Sequence, residues 1–267
     1  MKDAASGSRP IGRLLRAPDF RRLLGAQAIS GMGDWMATVA LMALIFELTG
    51  SAVAVGAMLA IRMGPGAIAG PLAAQAARRW DRRKTMLAMD LIRVAVVIAI
   101  PLVRNVGWVL VWVFVLESAT LVYLPARDAL VPDLVEHRDL RVANGLVLGA
   151  QYGGLPIGAG LFAVFVTIAA GLTVALPGGR LAPVFLADAA TFLGSYVLVR
   201  RVTSPEGRTG DGEAGLRFRD ALSIPLVRSA LIPIAGVAAG LGAVFSVGIV
   251  FVQDVGRVVS IRTGEEA

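Results

Sequence analysis

One short polar interruption, Gly70 to Lys84, limits what this chain can fold into more than any other stretch. Long apolar runs flank it, 52–77 before and 85–103 after, and five of the seven residues from Arg78 to Lys84 are cationic. An Arg or Lys at the centre of a membrane helix costs roughly 2.5–3.5 kcal/mol on insertion scales. The cluster therefore stays in water while both apolar runs enter a bilayer. Two membrane helices joined by a basic hairpin on the cytoplasmic side is the reading, and it orients the rest.

Composition agrees. Hydrophobic residues make up 56% of the chain and charged residues 17%, against about 25% charged in a soluble domain. Several windows reach the roughly 20 apolar residues that span a bilayer. The net charge of +7 does not point to nucleic acid, because of where the cations fall. Six lie in 1–22, five in 78–84, three in 127–141 and six in 200–228, while the turns between hold only Arg104 and Arg180. This alternation is the positive-inside pattern, with the N-terminus in the cytoplasm and the chain in the cell inner (plasma) membrane. The chain has no cysteine and only one histidine, His137 in a polar loop, so neither a disulfide framework nor a metal site is expected. No cofactor is implied. The first apolar run is too long for a cleavable signal peptide.

The apolar runs predict an all-α membrane protein of seven spans. Residues 1–20 form a tail and interfacial segment, 21–199 a six-helix bundle, 200–225 a cytoplasmic linker, 226–252 a seventh transmembrane helix and 253–267 a polar tail. Within the bundle the spans are about 21–48, 52–77, 85–103, 107–124, 142–174 and 182–199. The polar stretch 125–141 is read as a loop. Gly66 and Gly70 are spaced for close helix approach, and a kink is expected at Pro156. Trp108 and Trp112 stand where an outer aromatic belt would be.

Charges inside the spans carry the functional signal. Asp34 lies about 13 residues into the first span and Arg62 about 10 into the second from the opposite side, which puts both near the midplane, roughly 15–20 Å deep. Either alone is costly there, so a pair or a shared aqueous cavity is expected. Their role is a proton or substrate site, or else an ion pair that fixes packing. Glu117 is the one carboxylate deep in the fourth span and suits a proton carrier or a hydrogen bond between helices. Asp90, Arg93 and Asp188 are read as closer to an interface and structural, with Asp188 also a candidate for the cavity wall. Glycines in apolar spans are packing devices here. No Gly-x-x-x-x-Gly-Lys-Ser/Thr occurs, so no ATP-driven transporter is implied. No nucleophile, base and oxyanion-donor set suggests an enzyme.

Three stretches carry a family likeness. They are Phe20-Arg21-Arg22-Leu23-Leu24 through Gly33-Asp34-Trp35 to Glu47-Leu48-Thr49-Gly50-Ser51; Gly70-Pro71-Leu72 to Asp81-Arg82-Arg83; and Pro125-Ala126-Arg127-Asp128-Ala129-Leu130-Val131-Pro132-Asp133-Leu134-Val135 with Ala143-Asn144-Gly145. Over about 13–200 they resemble, in order, the major facilitator superfamily, particularly its macrolide-efflux and enterobactin-exporter-like branch. The middle stretch falls at the family's loop between helices 2 and 3, whose matching positions include Gly70, Arg79, Asp81, Arg82 and Arg83. That loop usually reads Gly-x-x-x-Asp-Arg-x-Gly-Arg-Arg; here Ala74, Arg78 and Asp81 replace its first Gly, its Asp and its second Gly. The resemblance implies a six-helix N-terminal bundle plus one helix, truncated relative to a twelve-helix fold of two halves. It also implies a proton-coupled exporter of drug-, macrolide- or siderophore-like molecules, with the lipid bilayer, a small-molecule substrate and protons as partners. The alternative is a non-transporting fragment, or a subunit completed by self-association or by a missing C-terminal half.

Overall fold

The structure, a computed structural model, describes residues 10–62, 65–66, 80–171 and 179–203, together with the single positions 225, 229, 236 and 240. The described residues are helical and contain no strand. Gly70 and Arg79, and most of the 200–225 linker and of the seventh span, lie outside them.

A short helix, α1 (Pro10–Arg16), leads into α2 (Pro18–Thr49). Pro18 occupies the first turn of α2, where a missing N–H costs nothing. The helix therefore starts three residues before its apolar run. It stops at Gly50, whose left-handed φ of 64° lets its N–H close on the Phe46 carbonyl at 2.7 Å. After the turn comes α3 (Ala52–Arg62). Asp81 caps α4 (Arg82–Ala99) by accepting the Lys84 N–H at 2.7 Å, and a 3-10 turn, Ile100–Leu102, extends it. Asn105 caps α5 (Val106–Leu134) in the same way, accepting from Trp108 at 3.1 Å. Then follow α6 (Leu140–Tyr152), α7 (Gly154–Gly171) and α8 (Ala182–Arg200).

Two expectations change. The stretch 125–141 is not a loop: α5 runs on to Leu134 through Pro125 and Pro132. Ala126, Leu130 and Val131 are fully buried, and that packing outweighs the hydrogen bonds the prolines forgo. The fifth span, read as 142–174 with a kink at Pro156, breaks three residues earlier, at Gly153. Pro156 cannot bond the carbonyl four residues back and its ring collides with it, so the first helix ends at Tyr152 and Pro156 opens the next.

Five described segments are long and apolar enough to cross a membrane, and α3 is a shorter apolar helix. α2 is the hub, packing on α8, α7, α6 and α5, while α4 packs on α5 and α8. Glycines set the tightest contacts. A Cβ on Gly158 of α7 would lie 2.7 Å from the Met32 carbonyl oxygen, and one on Gly154 would lie 2.9 Å from the Gly31 carbonyl carbon. Outward faces carry exposed apolar side chains such as Val111, Phe114, Leu186 and Val164, a surface suited to lipid rather than to water.

The core is split in two. One cluster gathers Met36, Leu41, Ile45, Val97, Phe185 and Phe192 towards the turns at 50, 104 and 179. The other gathers Phe20, Leu23, Met86, Tyr123, Leu130 and Val199 at the end that carries the basic hairpin. Arg104 reaches Glu47 at 3.1 Å at the first end. At the basic end Arg82 bonds Asp133 at 2.6 Å and the Ala129 carbonyl at 2.8 Å, and Arg83 donates to the Arg200 carbonyl. Arg13 bonds Asp139 at 2.8 Å, and this hydrogen bond raises the guanidinium pKa above its ordinary value. The hairpin cations thus fasten α4 to α5 and α8.

Candidate functional site

Between the two apolar clusters lies a layer of polar side chains. On α2 the lower cluster ends at Ala26 and the upper begins at Met36. Gln27, Ser30, Gly33 and Asp34 lie among the nine residues between, and Ala26 and Met36 are about 15 Å apart along the helix. On α4 the gap from Met86 to Val96 holds Asp90 and Arg93; on α8 Asp188 and Ser195 flank Phe192. α3 adds Arg62 and α5 adds Glu117.

Arg62 and Glu117 form a salt bridge of 2.6 Å, each side chain 17% exposed. Arg62 also donates to the Thr38 hydroxyl, which donates at 2.6 Å to the backbone carbonyl of Asp34. Three helices are tied together by one guanidinium. The expected Asp34–Arg62 pair does not form; Glu117, fifty-five residues on, takes that place. Arg62 donates to the Asp34 turn of α2 only through Thr38.

Asp90 and Arg93, read from the sequence as structural, are deeply buried in the bundle. They pair across one helical turn, and Ser195 donates to the second Asp90 oxygen at 2.9 Å. The Arg93 guanidinium lies between the Tyr123 ring at 4.1 Å and the Phe192 ring at 4.4 Å, an arrangement in which both π faces stabilise the cation. Tyr123 in turn accepts from Gln27 at 2.7 Å, and Arg127 donates to Gln27 at 3.0 Å and to Gln151. Arg127, 2% exposed, was not singled out in the sequence. Its salt bridge to Asp128 and its position on an extended α5 could not be read from a stretch that looked like a loop.

Asp34 is half-buried, and its carboxylate makes no ion pair or hydrogen bond among the described residues. It stands within electrostatic reach of Arg93, Glu117, Arg62 and Asp90. Asp188 is fully buried, and one of its oxygens has no partner among the described residues. Among the described residues the centre of the layer therefore holds four carboxyl groups, Asp34, Asp90, Glu117 and Asp188, against the guanidiniums of Arg62 and Arg93, with Arg127 at its edge, bonded to Gln27 and paired with the exposed Asp128. Such an excess of acid in a low-dielectric layer calls for bound protons or a cation.

A concavity of about 370 Å³ opens at the basic end between α1 and the α5–α6 turn. Its three carboxylates are each engaged, Asp133 by Arg82, Asp139 by Arg13 and Glu136 by Arg138. It holds no surplus charge for a ligand. The described residues contain no cluster of side chains suited to a metal ion.

A helical bundle with buried, imbalanced charge at mid-depth is the architecture of a channel or carrier, and the sequence profile that matches it is specific. The Major Facilitator Superfamily profile covers residues 23–258. The chain belongs to the Major Facilitator Superfamily. It is accordingly a multi-pass membrane protein of a secondary-transporter family, not one of enzymes. No curated protein matches it.

Proposed function

We propose that this member of the superfamily is a proton-coupled exporter of cationic or neutral amphipathic molecules, with Asp34, Arg62 and Glu117 on the substrate and proton pathway. The observation that carries the reading is the surplus of carboxyl groups over guanidiniums at the centre of the polar layer, among the described residues. A surplus of acid repels polyanions, so drug- or macrolide-like amines fit better than catecholate siderophores. The same surplus lets a proton and a cationic substrate compete for one site, which is the thermodynamic basis of exchange. The basic end faces the cytoplasm in this scheme, because its cations resist translocation. Alternating access would expose Asp34 to each side in turn.

Proteoliposomes with an acidic lumen test it. A permanently charged aromatic cation such as ethidium is the probe, since pH alone does not trap it. With the membrane potential clamped, the chain should accumulate ethidium in the lumen as protons leave. Asp34→Asn should abolish gradient-driven uptake. Uptake that ignores the pH gradient, or that survives in Asp34→Asn unchanged, overturns the proposal.

A further inference from the structure

The contact between α2 and α8 is built around a missing side chain. A Cβ on Gly33 would run into Oδ1 of Asp188 and Oγ1 of Thr191. Only glycine lets α8 bring its carboxyl group against the backbone of α2, one residue before Asp34. Asp188 is 0% exposed and lies on the same face as the buried rings of Phe185 and Phe192, one turn away on either side.

Its polar partners are few. Thr191 Oγ1 donates to the Asp188 backbone carbonyl at 2.7 Å and lies 3.2 Å from Oδ1. A hydroxyl has one hydrogen, and the backbone oxygen is the nearer acceptor. Oδ2 has no partner among the described residues. A buried carboxylate that is ionised is held by several donors or by a cation, and Asp188 has neither. The charged groups that face it are Asp34 from α2, Arg93 from α4 and Arg62 from α3. Arg93 is committed to Asp90 and Arg62 to Glu117. What remains is Asp34, a second acid.

We infer that Asp188 is a buried proton-binding site whose affinity for the proton depends on the charge of Asp34. The site takes one proton from solvent at Oδ2, which cancels the charge of the carboxylate, and no electrons are transferred. This rests on the proposal that Asp34 lies on the proton pathway, and it adds a residue and a reason for the glycine.

The test is infrared spectroscopy of the full chain in lipid nanodiscs across a pH series. A protonated carboxylic acid has a carbonyl stretch distinct from that of a carboxylate. Wild-type protein should show such a band at neutral pH, and Asp188→Asn should lose it. Asp34→Asn should keep the band but move its titration midpoint. If Asp188→Asn fails to fold, Thr191→Val leaves the acid in place and should shift the band. A band that Asp188→Asn leaves intact, that Thr191→Val does not shift, or whose midpoint ignores Asp34 overturns the inference. Ethidium exchange at the wild-type rate in Asp188→Asn would remove the site and leave the exporter standing. A wild-type chain with the Asp188 band and no proton-driven uptake would do the reverse.

Discussion

Arg62 on α3 meets Glu117 on α5 at 2.6 Å, and the same guanidinium holds Thr38 of α2. One cation thus joins three helices in the layer that separates the two apolar clusters. Removing either partner leaves the other charge stranded away from water, which costs about 3–5 kcal/mol, whereas removing both is much milder. Arg62→Gln and Glu117→Gln should each lower thermal stability in detergent sharply, and the double variant should recover most of the loss. The cycle between Arg62→Gln and Asp34→Asn should show clearly weaker coupling, since those two side chains do not touch. Equal coupling in both cycles would contradict the pairing seen here.

Arg93 gives a second test. Its planar guanidinium lies between two aromatic rings while it bonds Asp90. A lysine keeps the charge but loses the flat face and the fork of donors. Arg93→Lys should destabilise the protein by about 1–2 kcal/mol, the scale of a desolvated cation–π contact. Ser195→Ala leaves one Asp90 oxygen without its donor and should cost about 1–3 kcal/mol. A melting temperature unchanged in both would mean that this buried pair is more hydrated than its surroundings allow.

How far the sequence goes is visible in the same residues. The all-helical class and the ends of α2 and α8 follow from apolar run lengths and turn chemistry, because lipid demands continuous apolar helices. Depth arithmetic places Asp34 and Arg62 at a common level, but it cannot say who faces whom. That depends on rotation about each helix axis, and Thr38 and Glu117 captured Arg62 where Asp34 was expected. Asp188 looked peripheral from its place in the eighth helix; only the contact at Gly33 shows it pressed against α2. The helix through Pro125 and Pro132 was illegible because local rules oppose it and tertiary burial overrides them.

Topology can be checked with a single label, since the chain has no cysteine of its own. Ser51 lies in the turn after α2, at the end away from the basic hairpin, and Arg138 is exposed beside the α5–α6 turn at the basic end. Ser51→Cys should react with a membrane-impermeant maleimide added to intact cells. Arg138→Cys should react only after the membrane is opened. Labelling of position 138 from outside would invert the proposed orientation.

The glycines of α6 and α7 make opposite predictions within one short stretch. Gly158 faces α2, and a Cβ there would come within 2.8 Å of the Met36 amide nitrogen as well as 2.7 Å of the Met32 carbonyl oxygen. Those are backbone atoms, which cannot swing aside, so Gly158→Ala must push α7 away from α2. Overpacking of this kind costs about 1–3 kcal/mol. Gly160 lies two residues further on and Gly145 in α6, and a Cβ at either meets nothing within 4 Å. There the substitution removes only the helix-breaking freedom of glycine, so Gly160→Ala and Gly145→Ala should raise stability by about 0.5–1 kcal/mol. Thermal melts in detergent of the three variants should therefore fall on both sides of wild type. If Gly158→Ala melts with the other two, the close approach of α2 and α7 does not exist as described.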